Sequence, residues 1–229
     1  LKIGVMPSSF RIPFKDAALR ARDMGAKGLQ PYVTEGELAP ENLTADDRRD
    51  LLRFVRDCGL TFSALCADFG MDFSDYGNNA ADIKRTMSMM DLARDLDTHV
   101  ITTHIGHVPD DPESTEYKNI CRSIEELGKY GDSIGVCFAT ETGPESAVKL
   151  RGILERVDTK SAKVNLDPAN FVMLCGQDPV EAVHVLKNYI VHTHAKDGIK
   201  TGETTYQELP LGTGAVPYPE YLAALRDEG

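Results

Sequence analysis

Histidine, acid and lysine side chains gather at four places in the chain: Thr103-His104-Ile105-Gly106-His107, Glu141-Thr142-Gly143, Asp167-Pro168-Ala169-Asn170 and His192-Thr193-His194-Ala195-Lys196-Asp197. Each follows a short β-rich run. Carboxylate oxygens and imidazole nitrogens together suit a divalent ion such as Mn²⁺, Mg²⁺, Co²⁺ or Zn²⁺. A metal beside carboxylates can polarise a carbonyl while a carboxylate removes the neighbouring proton. Each residue also has an ordinary reading. Glu141 could be a solvated acid at a strand end, Asp167 a helix cap ahead of Pro168, and Lys196-Asp197 a loop pair. His192 and His194 are two apart and so share one face of a strand. One of them suits a ligand and the other a hydrogen-bonded layer residue. His104 is placed to line the site from its own strand end, whereas His99, His107 and His184 read as surface or loop.

The elements that must carry these residues alternate. Lys2–Met6, Gly28–Val33, Leu60–Cys66, His99–Thr103, Val136–Thr140, Lys163–Leu166 and Tyr189–His194 read as strands. Helical spacing marks Phe14–Met24, the segment of Leu51, Phe54, Val55 and Cys58, that of Ile83, Met87 and Met90, that of Ile120, Ile124 and Leu127, Ala147–Val157, and Pro219–Arg226 with Gly229 at its stop. Thr44 with Asp47 predicts a capping box. Asp111-Pro112 and Asp178-Pro179 each predict a cap followed by Pro in the first turn. Strand–helix alternation implies parallel βαβ units. No phosphate-loop glycine pattern accompanies it; Gly212-Thr213-Gly214 runs on to Pro217. The α/β class is therefore a TIM (β/α)8-type barrel, in which chemistry sits where the strands end. Residues 1–229 form one domain.

Composition narrows the partner. Asp and Glu number 36 against 25 Lys and Arg, for a net charge of −11. That disfavours nucleic acid, whose binders carry a basic face. No apolar run approaches the roughly 18 residues of a membrane span, and no signal segment opens the chain. Cys58, Cys66, Cys121, Cys137 and Cys175 are odd in number and never form C-x-x-C. They read as reduced thiols of a cytoplasmic protein, and a homo-oligomer is compatible with this composition. Two loops are long enough to cover a site, Thr34–Leu43 and Asp68–Asn79, the second offering Phe69, Met71 and Phe73 as an apolar wall.

Glu141-Thr142, Leu166-Asp167-Pro168-Ala169-Asn170, His192-Thr193-His194-Ala195-Lys196-Asp197 and Leu209-Pro210-Leu211-Gly212-Thr213-Gly214 taken together resemble the xylose isomerase-like TIM barrel superfamily, in particular its sugar phosphate isomerase/epimerase branch. That branch includes ketose 3-epimerases and inosose dehydratases. The resemblance implies one divalent ion held by Glu141, Asp167 and His194, with Glu141 also an acid/base. It implies a carbohydrate, sugar phosphate or related polyol ketone as substrate, changed by proton abstraction beside its carbonyl. Asn170 and Lys200 stand where ketose epimerases carry a substrate-binding His and Arg. Lys196, Lys200, His104, His192 and Glu208 are the other expected substrate contacts. Two different functions remain as alternatives: an endonuclease IV-like zinc nuclease, which His104 resembles but Asn170, Tyr206 and Glu208 do not, and a non-catalytic sugar-binding barrel.

The resembling barrels close with an eighth strand that carries a fourth ligand, a second Glu. Seven strands are legible here, so strand eight and helix eight are expected to be lacking. Glu208, on a loop before the last helix, is the only substitute. A barrel norm of ~250 residues places about fifty further residues beyond Gly229. The first residue, Leu1, likewise reads as that of a processed, tagged or partial chain.

Overall fold

A computed structural model describes residues 2–228. The strands are β1 (Gly4–Val5), β2 (Gly28–Leu29), β3 (Thr61–Phe62), β4 (Leu65–Cys66), β5 (Val100–Thr103), β6 (Cys137–Glu141), β7 (Ala162–Leu166) and β8 (Ile190–Thr193). The helices between them are α1 (Phe14–Asp23), α2 (Ala45–Asp57), α3 (Ala80–Asp95), α4 (Thr115–Ile134), α5 (Ala147–Leu154), α6 (Pro168–Asn170) and α7 (Pro179–Leu186), and α8 (Tyr218–Glu228) closes the order. Strands β1-β2-β3 and β4-β5-β6-β7-β8 form two parallel sheets. The break at Ser63-Ala64 splits one expected strand into β3 and β4. A parallel bridge from Tyr32 to Cys66 and the bond from Cys66 N to Pro31 O carry the ladder past it. Gly229, the expected helix stop, lies outside the described residues.

Local chemistry explains most boundaries. Thr44 Oγ1 accepts Asp47 N–H at 3.2 Å and Asp47 Oδ2 accepts Thr44 N–H at 2.9 Å, completing the capping box. Such a cap contributes about 1 kcal/mol. Asp178 Oδ1 accepts Val180 N–H at 2.9 Å with Pro179 in the first turn of α7. The matching expectation at Asp111-Pro112 is corrected. Asp111 Oδ1 instead accepts Glu113 N–H at 2.9 Å, making a turn. Helix α4 starts at Thr115 with Ser114 as its cap, Oγ accepting Tyr117 N–H at 3.2 Å.

Two elements follow no expectation. After β8 the chain makes an antiparallel hairpin, β9 (Asp197–Lys200) with β10 (Tyr206–Leu209). Glu208 therefore sits on a strand, not on a loop. After β7 the helical turn α6 runs on into a π-type turn over Phe171–Cys175.

The core lies between the sheet and the helical layer, where Leu29, Val55, Leu92, Ile101, Ile124, Phe138 and Leu186 are buried. Each such side chain contributes about 1.5–3 kcal/mol by leaving water. Met71 and Phe73 belong to this core, Phe73 packing on Phe138 with ring centroids 5.7 Å apart. Of the two readings open for this loop, a wall to a sugar ring or packing against the barrel rim, Phe73 takes the second, while Met71 also lines a cavity with Asp68 and His104. The 34–43 loop is also pinned, by Arg48 donating to Pro40 O at 2.9 Å and Leu43 O at 3.3 Å. Helix α4 approaches the sheet through Gly131. A Cβ there would press on Val136 O and stand 2.9 Å from Ser161 Cβ and 3.0 Å from Met90 Cε. Gly131→Ala is expected to cost about 1–3 kcal/mol by overpacking, read as a lower urea midpoint at unchanged slope.

Among the described residues no strand pairs with the outer edge of β1 or of β8. A groove of about 560 Å³ runs between these edges, lined by Val5, His192, Thr193, Tyr221 and Leu222. It is larger than the cleft described next, but its walls are mainly apolar. No described helix is long and apolar enough to cross a membrane.

Candidate metal centre

Glu141 is the last residue of β6, Asp167 follows β7 directly, and His194 follows β8 directly. The parallel register Glu141↔Asn165 and Leu166↔Thr193 brings the three to one rim. One ligand atom from each lies within 4.8 Å of the others. His194 Nδ1 donates to Glu141 Oε1 at 2.9 Å and stands 3.9 Å from Asp167 Oδ2. The cap reading of Asp167 holds. Its Oδ1 caps α6, accepting Ala169 N–H at 2.8 Å and Asn170 N–H at 3.2 Å. Its Oδ2 is buried and meets no donor in hydrogen-bond alignment, although Lys196 Nζ lies 2.8 Å away as an ion-pair partner. A buried carboxylate oxygen left in this way, beside a second carboxylate and an imidazole, is a donor set that fits a divalent ion.

The neighbours act differently on the two acids. Burial pushes Asp167 above the usual carboxylate range, and the Lys196 ammonium offsets only part of that. Burial also raises Glu141. There the hydrogen bond from His194 and the charges of His194, His104 and Lys196 prevail and hold it low. A chain of contacts supports the site from below. His192 Nδ1 donates to Asn165 Oδ1 at 2.8 Å, and Asn165 Nδ2 donates to Glu141 Oε2 at 3.2 Å. Burial lowers His192 to about 4, so it stays neutral. It is the layer residue of the pair, facing the groove between β1 and β8 rather than a substrate.

Above Glu141 and His194 opens a cleft of about 370 Å³. It is lined by Tyr32, Cys66, Asp68, His104, Glu141, His194, Lys196 and Glu208. His104 occupies the place expected of it. Its Nδ1 donates to Asp68 Oδ2 at 2.6 Å, and its Nε2 stands 3.8 Å from Glu141 Oε1. The Asp68 hydrogen bond, with the charges of Glu141 and Asp68, raises His104 against the effect of burial. Asp68 was not foreseen. The strand-end filter applied to β5 through β8 finds it when extended to the run ending at Cys66. Burial pushes Cys66 to about 11 and Tyr32 to about 12, leaving both protonated.

Two expected substrate contacts lie elsewhere. Asn170 is buried, donating from Nδ2 to Thr142 O at 2.7 Å and accepting Lys196 Nζ at 2.9 Å. It holds Lys196 instead of facing the cleft. Lys200 is exposed at the end of β9, outside the residues lining the cleft. Lys200→Ala is expected to leave both kcat and KM within about twofold, the usual result for a solvated surface charge, for anionic and neutral sugars alike.

The sequence matches the family described as xylose isomerase-like TIM barrel over residues 18–229. The chain belongs to that family. No curated protein matches it in sequence. Among solved structures, a xylose isomerase domain protein from Planctomyces limnophilus is 22% identical with a TM-score of 0.86, the match covering 100% of this chain and 87% of that one. The probable 3-DHS dehydratase AsbF of Bacillus anthracis is 21% identical with a TM-score of 0.78, over 99% and 89% of the two chains. D-psicose 3-epimerase from Clostridium cellulolyticum, solved with D-tagatose, is 17% identical with a TM-score of 0.78, over 100% and 82%. These likenesses show that this family member has the TIM-barrel fold.

Proposed function

We propose that the protein is a divalent-metal-dependent enzyme that removes the proton beside the carbonyl of a sugar, sugar phosphate or related polyol ketone. The observation that carries this reading is the buried Oδ2 of Asp167, which meets only the Lys196 ammonium and lies within ligand distance of Glu141 and His194. Glu141, Asp167 and His194 would hold the ion, which supplies Lewis-acid polarisation of the carbonyl when bound. Glu141 is the acid placed to accept the carbon-bound proton, with Asn165 fixing its other oxygen. Reprotonation of the same carbon on its opposite face, by a donor other than Glu141, would give epimerisation, and reprotonation of the adjacent carbon would give aldose–ketose isomerisation.

A dehydration has its own support. His104, oriented by Asp68, lines the same cleft with its Nε2 3.8 Å from Glu141 Oε1. From there it can give a proton to a departing β-hydroxyl while Glu141 keeps the one taken from carbon. The acidic balance of the chain and the inward-turned Asn170 favour a small polyhydroxylated substrate over a nucleic acid.

The test is a panel of ketoses, ketose phosphates, inososes and 3-dehydroshikimate with added Mn²⁺, followed by proton NMR in D₂O. Deuterium entering the carbon beside the carbonyl is the expected signature. No exchange and no product with any member would favour a non-catalytic sugar-binding barrel.

A further inference from the structure

The two oxygens of Asp167 have separate partners. Oδ1 is committed to the N–H groups that start α6. Oδ2 is left as the ligand atom, and it is the one that Lys196 approaches at 2.8 Å. The ammonium is held there by a second contact, donating to Asn170 Oδ1 at 2.9 Å. The main chain of Lys196 is fixed as well, because Tyr218 Oη donates to Lys196 O at 2.8 Å. On the outer side of the ammonium lies Glu208 Oε1 on β10, 3.7 Å from Nζ. Lys196 thus stands between a fully buried acid and an acid whose side chain is 60% exposed.

A buried carboxylate without a counter-charge is costly, and Lys196 is the only lysine or arginine in ion-pair contact with Asp167 among the described residues. A dication on the same oxygen reverses the balance, since like charges a few Å apart at the edge of a protein repel. The lysine stem is flexible, so its ammonium can change partners while Cα stays fixed. Glu208 is the nearest alternative acid.

We infer that Lys196 is a two-position counter-cation: it neutralises Asp167 while the centre is empty and moves onto Glu208 when a divalent ion is taken up. Lys196 and Glu208 then jointly set the affinity of the centre, and the displaced ammonium stands at the mouth of the cleft. This rests on Glu141, Asp167 and His194 being the ligands.

Mn²⁺ titration calorimetry on chelator-stripped protein, with thermal melts in EDTA, tests it without any substrate. Lys196→Met should bind Mn²⁺ at least about tenfold more tightly, because the repulsion is gone. It should also melt lower in EDTA, with Mn²⁺ restoring the loss. Glu208→Gln should weaken binding by about threefold to tenfold in the wild-type background. The same change should have no effect in Lys196→Met, which has no ammonium to relocate. Equal weakening in both backgrounds would make Glu208 a ligand and overturn the inference. So would a Lys196→Met protein that binds no more tightly than wild type. Lys196→Gln gives the same comparison should the Met variant fail to fold. Failure of the ligand reading looks different: wild type and every variant, Asp167→Asn included, would take up no Mn²⁺ at all.

Discussion

Glu141→Gln is expected to lower turnover by about 10³-fold, within the range assigned to a positioned acid/base, and to reduce bound Mn²⁺ as well. The carboxylate accepts from two donors, His194 Nδ1 at 2.9 Å and Asn165 Nδ2 at 3.2 Å. A carboxamide has one acceptor oxygen, so its NH₂ must face one of those donors. The negative charge that would balance the ion is lost at the same time. Turnover, metal content by mass spectrometry and circular dichroism, measured on one preparation, separate chemistry from folding. A folded variant that keeps more than about a tenth of wild-type activity would remove Glu141 from both roles.

Asp197→Asn is expected to cost about 3 kcal/mol of stability, since hydrogen bonds to a charged group contribute about 1.5–3 kcal/mol each and their loss leaves buried donors unpaired. Asp197 is buried, and its carboxylate accepts four backbone N–H groups: Gly198 at 2.8 Å, Gly212 at 2.8 Å, Gly214 at 3.0 Å and Val216 at 3.2 Å. Burial alone would raise this carboxyl, but the N–H groups of Gly214, Val216, Gly198 and Gly212 prevail and hold it below its ordinary value. Because the folded pKa is depressed, its contribution is complete above the unfolded value of about 3.9 and is lost as pH falls through the folded one. Urea midpoints of the two proteins should therefore differ most near neutral pH and converge below about pH 4. Equal midpoints at pH 7 would show that the 210–216 turn is held by other contacts.

That carboxylate also explains the one glycine pair that resembles a phosphate loop. Gly212 adopts φ +81°, and a Cβ at Gly214 would collide with Asp197 Oδ1. The turn is an anion nest filled from within the chain. In sequence Lys196-Asp197 looks like any loop pair, because nothing local shows that three N–H groups fifteen to nineteen residues later join that of Gly198 on Asp197.

The grouping of Glu141, Asp167 and His194 was legible for the opposite reason. Each stands at the end of a β-rich run, and parallel pairing makes run ends neighbours. Between His192 and His194 the face alone could not choose. Asn165, two residues before Asp167, selects His192 for the supporting role by accepting its Nδ1 proton. The β9–β10 hairpin was missed because Asp197–Lys200 and Tyr206–Leu209 lack the alternation that marks a half-buried strand. Tyr206–Leu209 is exposed over most of its length, and Asp197–Lys200 is buried only at Asp197 and Gly198.

Strand length divides the ladder into a firm half and a yielding half. Strands β6 and β7 span five residues each and β5 and β8 four, whereas β1 to β4 span two each. Amide protons of β6 and β7 should exchange with solvent only through global unfolding, while those near Gly28, Thr61 and Leu65 should exchange through local opening at far smaller free energy. Glu141, Asp167 and His194 all stand at the ends of β6 to β8. Tyr32, Cys66 and Asp68 stand on the short strands or just past them. A substrate would thus meet a rigid electrophilic floor and a compliant wall, so differences in substrate size should be absorbed on the side of Asp68 and Tyr32 and leave the ligand geometry undisturbed.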